Sequence, residues 1–316
     1  MSQDRQLELS VVVPLYNEEA VITEMYKRLS NVLNECASSY EIILVNDGSS
    51  DRTLELAEGL CKQDNNVKLI SFSRNFGHQI AITAGMDKAK GQATVVIDAD
   101  LQDPPEVIPD MMKKWKEGYH VVYGVREKRK GESKFKLWTA ALFYRVLKRL
   151  TAVEIPVDTG DFRLIDRRVL SEFRKMREHA RFVRGMISWV GFRQTEVRYV
   201  REKRFAGETK YPFKKMLKFA IDGILSFSQV PLKISSVFGL LTSVVGFIFM
   251  LYGLLMKLFF PEYVIEGWAS LFVAVLFLGG VQLICIGLLG EYVGRMYEET
   301  KNRPLYIIEK EINFSE

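Results

Sequence analysis

The sequence is poor in the residues that most often staple, ligate or switch a protein. Its three cysteines (Cys36, Cys61 and Cys285) are dispersed, odd in number and without metal-ligand spacing. That excludes a disulfide framework and a thiolate zinc site, and it fits a reducing compartment. The three histidines (His78, His120 and His179) are not spaced as ligands either, and their spacing assigns them no role. No G-x-G-x-x-G fingerprint and no phosphate-binding P-loop is spelled, which argues against dehydrogenase and ATPase chemistry. Met1 to Glu8 is polar and lacks the apolar core of a signal segment, so the bulk of the chain is expected to start in the cytosol. Charge itself is missing from two places, Ser235 to Met256 and Trp268 to Leu289. Each run is about 22 residues, or roughly 33 Å as a helix, enough to cross the hydrocarbon core of a bilayer.

What is present divides as sharply. Mean hydropathy is near zero over 316 residues, but residues 1–230 are charge-rich while 235–289 are almost charge-free. The net charge is +5, with Arg/Lys clusters concentrated between 126 and 218. Such a face suits nucleotide phosphates, lipid phosphates or an anionic membrane surface, and no nucleic-acid partner is expected. Lys257 is the only basic residue between the two uncharged runs, whereas Lys214, Lys215, Lys218 and Lys233 precede them and Arg295, Lys301 and Arg303 follow. The positive-inside rule then places both termini in the cytoplasm and Pro261-Glu262-Tyr263 outside, as in a multi-pass inner-membrane protein. Gln282 and a series of glycines in the runs favour close helix packing, from which a homo-oligomer, up to a tetramer, is expected.

The first half alternates strand and helix. Leu9 to Pro14, Glu41 to Val45, Val67 to Ser71, Ala93 to Ile97 and Val121 to Tyr123 read as strands. Between them lie helices carrying Val21, Met25, Leu29 and Val32, then Asp51 to Leu60, His78 to Lys88 and Pro105 to Glu117, with Ser50 or Asp51 as a cap. This pitch predicts an α/β fold, a mainly parallel sheet with helices on both faces, whose ligands gather beyond the carboxyl ends of the strands. The polar residues fall there: Asn17 and Glu18, Asp47 and Ser49, Ser73 and Arg74, Asp98 and Asp100. Asp98 and Asp100 stand at i and i+2 after a β-branched run and so share a face. Converging oxygen donors without His or Cys suit Mg²⁺ or Mn²⁺, while Asp103, before Pro104-Pro105, reads as a helix cap.

Three motifs in order, Val13-Pro14-Leu15-Tyr16-Asn17-Glu18, Val45-Asn46-Asp47-Gly48-Ser49-Ser50-Asp51 and Asp98-Ala99-Asp100-Leu101-Gln102-Asp103, resemble the signature series of family 2, GT-A fold glycosyltransferases. The resemblance implies a sugar-nucleotide donor, with Pro14, Tyr16, Glu18, Asp47 and Asp98 on its base, ribose and sugar side. It implies Asp100 and Gln102, with Asp98 beside them, as the metal ligands that face the diphosphate. Further on, Asp158-Thr159-Gly160-Asp161-Phe162-Arg163 is similar to the acceptor motif of the polyprenyl-phosphate branch, and closer to its undecaprenyl-phosphate members than to the dolichol-phosphate mannose synthases. Asp161, Asp158 and Arg126 are the catalytic residues so implied. Arg204-Phe205-Ala206-Gly207-Glu208-Thr209-Lys210-Tyr211 resembles the branch's R-x-x-G-x-[ST]-K-Y loop, which implies Arg204 and Lys210, with Arg163, as phosphate ligands.

Chemistry tempers the role of Asp161. A phosphate monoester has a second pKa near 6 and is already largely ionised at neutral pH, so its oxygen attacks without a base once positioned. Asp161 is therefore an orienting or metal-side residue first and a base second. The segment from Phe135 to Leu150 interleaves Trp138 and Phe143 with Arg and Lys, a pattern shared by an interfacial helix and a core-packed one. The expected organisation is a GT-A domain over 1–211, a juxtamembrane helix over 212–233, two membrane helices over 234–290 and a cytoplasmic tail over 291–316. The expected activity is inverting transfer of one sugar, glucose or N-acetylglucosamine before others, from a UDP-sugar to undecaprenyl phosphate. A flippase and a downstream transferase are the expected companions. The alternatives are a polysaccharide synthase, against which stand the missing Q-x-x-R-W element and only two spans, and a non-catalytic membrane scaffold or flippase partner, against which stand the intact acids.

Overall fold

Apolar runs bounded by turn residues build the centre of the fold. In the computed structural model, which describes residues 7–126, 159–202, 230–259 and 267–314, β1 (Leu9–Leu15) is buried along its whole length. Burial on both faces is what continuous hydrophobic strands require. β1 pairs in parallel with β2 (Tyr40–Asn46) on one side and β4 (Ala93–Val96) on the other, and β2 pairs in parallel with β3 (Val67–Phe72). α1 (Ile22–Cys36) buries Ile22, Met25, Leu29 and Leu33 on one stripe. α2 (Thr53–Gln63), α3 (His78–Lys88) and α4 (Ile108–Lys116) complete the helices between strands. The Asp51 carboxylate accepts from Thr53 N at 3.0 Å, although the N-cap position of α2 is Arg52, which makes no side-chain capping bond.

Among the described residues the sheet has eight strands, in the order β7-β5-β6-β4-β1-β2-β3-β8. β5 (Val121–Arg126) does not join β4. Between them runs β6 (Thr159–Asp166), antiparallel to both, and β7 (Gln194–Tyr199) then pairs in parallel with β5. The acceptor-like motif is thus a central strand, buried from Thr159 to Ile165. Short helices α5 (Arg167–Lys175) and α6 (Val183–Trp189) link it to β7. At the far edge β8 (Ile308–Ile312), from beyond residue 291, pairs antiparallel with β3. Tyr306 stacks on Phe72, with ring centroids 5.3 Å apart, and donates its hydroxyl hydrogen to Asp87 at 2.9 Å.

The described residues form two compact units, one containing this sheet and the other containing α7 (Val230–Phe259) and α8 (Trp268–Thr300). At 30 and 33 residues both helices are long and apolar enough to cross a membrane. Their large side chains face outward, with Phe249 at 70% and Ile284 at 74% exposure, which is the surface a lipid environment stabilises.

Candidate active site

The site lies where β4 ends. In the antiparallel register Val96 faces Arg163, so two residues further along β4 and two residues back along β6 the chain brings Asp98 and Asp161 together. A histidine from the first turn of α3 stands between them. His78 Nε2 is 3.4 Å from Asp98 Oδ1 and 3.3 Å from Asp161 Oδ2. Asp161, only 6% exposed, also accepts from Gln79 Nε2 at 3.1 Å and from Arg184 Nε at 2.9 Å. Arg184 is fixed in turn by a 2.8 Å bond to Thr159 O, and the Gln79 carboxamide oxygen accepts from Val183 N. Both oxygens of Asp161 therefore have donors.

The electrostatics follow from this packing. Burial opposes the charge of Asp161, but Arg184, His78 and Arg163 outweigh it and hold the carboxyl well below the usual carboxylate range. Asp98 is different: burial dominates, only partly offset by His78, while Asp161, Asp103 and Asp100 add like-charge repulsion, and its pKa is pushed up to about 6. Burial disfavours the His78 imidazolium, yet the two acids prevail and raise it to about 9.

The next residues change direction under strain. Asp100 Oδ1 accepts from Gln102 N at 3.1 Å, closing a turn, and Leu101 between them has φ +57° with its side chain fully buried. A left-handed non-glycine residue costs about 1–2 kcal/mol, offset here by burial of the leucine. Gln102 Oε1 accepts from Arg201 Nη2 at 2.6 Å. Asp103, 1% exposed, is not the helix cap expected of it. It accepts from Tyr199 OH at 2.5 Å and Arg126 Nη2 at 3.1 Å, and the helical turn that follows starts at Pro105 without a side-chain cap. Arg126 thus closes on β7, over Gly160, where a Cβ would sit 2.6 Å from its Nη2.

On the β1–β2 side the predicted residues gather at the same end of the sheet. Pro14 pairs with Val45 in the β1–β2 ladder, Tyr16 is 42% exposed at the rim, and Glu18 N donates to Thr53 Oγ1. Asp47 is buried and its carboxylate accepts from Phe76 N at 2.7 Å and Gly77 N at 3.0 Å, so it holds the loop that delivers His78. Gly48, at φ +64°, lets that loop approach: a Cβ there would lie 2.6 Å from the Arg74 backbone. Arg163 is buried and donates to Gly160 O at 3.0 Å, while its Nε has no acceptor among the described residues. Burial lowers its pKa to about 10 despite Asp161. Asp158, Arg204 and Lys210 lie outside the described residues, as does the amphipathic stretch from Phe135 to Leu150.

The carboxyl end of β4 suits a hard cation. Asp98 Oδ1 is buried without a hydrogen-bond donor, and Asp100 stands two residues on, so the donor set is all oxygen. Among the described residues no three His, Cys, Asp or Glu groups converge as a complete cage. A metal site built from one or two carboxylates and substrate phosphates is of this open kind.

Comparison with known proteins fixes the family. The glycosyl transferase family 2 description matches residues 10–174, covering all three motifs and β6, and the GtrB C-terminal hairpin matches residues 230–296. The chain belongs to glycosyl transferase family 2. Its sheet is the GT-A domain of that family, and its two apolar helices are the hairpin. This family 2 transferase is 57% identical over 306 residues to the uncharacterized glycosyltransferase YkcC of Bacillus subtilis (strain 168), covering 97% of this chain and 94% of that one. It is 41% identical over 304 residues to the prophage bactoprenol glucosyl transferase homolog of Escherichia coli (strain K12), covering 96% and 99%. It is also 41% identical over 305 residues to the bactoprenol glucosyl transferase of Shigella phage SfV, covering 96% and 99%.

His78, Gln79, Arg184, Tyr199 and Arg201 complete the site and were not legible as members of it. His78 and Gln79 follow the β3 loop, whose Ser73 and Arg74 the strand-end rule does flag. Arg184 and Tyr199 reach the site only because β6 lies between β4 and β5.

Proposed function

We propose that this transferase moves a single glucosyl group, or less favourably N-acetylglucosaminyl, from a UDP-sugar to undecaprenyl phosphate at the cytoplasmic face of the inner membrane, with inversion. The observation that carries the reading is the meeting of the β4 carboxylates with Asp161 of the acceptor-like strand at one end of the sheet. The names of the bactoprenol glucosyl transferase relatives support the sugar and the lipid class.

In this reading Tyr16, Glu18 and Asp47 define the nucleotide side, and Asp98, Asp100 and Gln102 would hold Mg²⁺ or Mn²⁺. Such an ion, when bound, supplies positive charge to the leaving phosphate. Arg163, Arg204 and Lys210 take phosphate oxygens of donor or acceptor, where fixed cations stabilise charge that develops as the bond breaks. Asp161, saturated by donors, orients Arg184 and the acceptor side rather than removing a proton. The ionised lipid phosphate forms the new oxygen bond to the anomeric carbon as the bond to the diphosphate breaks, and UDP leaves from the opposite face. Asp158 and Arg126 shape the acceptor side, Arg126 through Asp103 and Tyr199.

The membrane placement rests on charge and topology. The chain leaves the sheet unit before α7 and rejoins the same sheet as β8, after two helices each able to span. An even number of crossings returns both termini to one side, and the basic flanks favour the cytoplasm. The boundaries at 211, 233 and 290, a homo-oligomer, and a flippase with a downstream transferase belong to the same proposal. The test is transfer from radiolabelled UDP-sugars to undecaprenyl phosphate by detergent-solubilised full chain, with Mn²⁺ or with EDTA. One donor labelling the lipid, lost with EDTA and in Asp100→Ala, is expected. Folded protein that binds UDP but labels no lipid from any donor sinks the acceptor assignment.

A further inference from the structure

We propose that His78 is a positioning residue for sugar transfer, spanning the donor-side and acceptor-side carboxylates and fixing the gap between them. The inference rests on the function proposed above and assigns a residue that the motifs leave unassigned. Three features carry it. First, Nε2 alone reaches both acids, at 3.4 Å to Asp98 Oδ1 and 3.3 Å to Asp161 Oδ2, from elements far apart in sequence. Second, among the described residues His78 is the only basic side chain within ion-pair distance of Asp98, and Asp98 Oδ1 is buried with no hydrogen-bond donor. Third, the imidazole cannot drift, because its backbone is set by Asp47. That carboxylate takes the N–H groups of Phe76 and Gly77, and Gly77 turns into α3 with φ +104°.

The consequence is asymmetric. Asp161 keeps Arg184 and Gln79 when the imidazole is lost, so the acceptor side retains its anchor. Asp98 loses the side chain that stands between it and Asp161. Without that spacer the gap between the two carboxylates is no longer fixed. Gln at position 78 restores a polar group beside one acid but does not reach both from a single atom. A misplacement of about 1 Å costs reactions about 10²-fold when the reacting groups remain bound but misaligned.

The test uses the full chain in detergent with His78→Ala and His78→Gln, measuring transfer to undecaprenyl phosphate, UDP binding and thermal unfolding. In His78→Ala we expect kcat to fall about 10- to 100-fold, with UDP still bound and the unfolding midpoint lowered by no more than Asp161→Asn lowers it. His78→Gln should recover part of the loss. A His78→Ala enzyme with kcat within about twofold of an active wild type overturns the assignment and leaves the function standing. A fall in kcat matched by lost UDP binding and a lowered midpoint overturns it in favour of a folding role. A wild type that binds UDP and transfers to no lipid overturns the function, and this assignment with it.

Discussion

Replacing Asp161 by Asn separates an anchor from a base. The side chain keeps its shape but loses the charge that Arg184 meets at 2.9 Å and His78 at 3.3 Å. Removing one partner of a buried ion pair costs about 3–5 kcal/mol. Arg184 retains 22% of its side-chain exposure, so water screens part of that loss and about 2–3 kcal/mol is the working figure. At about 2–4 °C per kcal/mol for a domain of this size, the unfolding midpoint should fall by roughly 4–12 °C. Misplaced Arg184 and His78 should lower kcat by about 10²-fold. Thermal unfolding followed by tryptophan fluorescence, beside initial transfer rates at saturating donor, measures both. The anchor reading needs the two losses together. A midpoint unchanged within about 1 °C with kcat down by 10³-fold or more would refute it, because a general base contributes about 10²–10⁴-fold to rate and nothing to stability.

Other expectations are more local. Gly48→Ala drives a Cβ to 2.6 Å from the Arg74 backbone at φ +64°, and overpacking of this kind costs about 1–3 kcal/mol, read by urea unfolding. Glu41 is a buried acid that accepts from Ser10 Oγ and Lys90 N and pairs with Lys68 at 2.6 Å, so Glu41→Ala should destabilise by about 3 kcal/mol while leaving the donor KM unchanged. Tyr306→Phe keeps the stack on Phe72 but loses the bond to Asp87. It should cost about 1 kcal/mol and speed amide exchange at β3 and β8, an effect absent if β8 does not hold that edge. Asp166 is held below the usual carboxylate range because bonds from Trp115 and Arg168 outweigh its burial. A depressed acid adds stability above its unfolded pKa and loses it as pH falls, so wild type and Asp166→Asn should converge in stability at acid pH and differ at neutral pH.

The parallel core was legible because each of its strands is a short apolar run that ends in polar residues, and a buried parallel strand needs no partner information to announce itself. The placement of Asp47, Asp98 and Asp100 just beyond strand ends was legible for the same reason. The uncharged runs declared, through length and composition, two helices long and apolar enough to span a membrane. Sequence could not say that Thr159–Asp166 runs antiparallel between β4 and β5, because its polar residues hide a strand whose burial depends on neighbours from both sides. That single insertion decides the site: it sets Asp161 beside Asp98, gives Asp103 to Tyr199 and Arg126 instead of a helix end, and turns an unplaced histidine into the contact between two acids. Residues near in sequence follow local periodicity, whereas strand order and the return of β8 to β3 follow from which edges remain unpaired, a property of the assembled sheet alone.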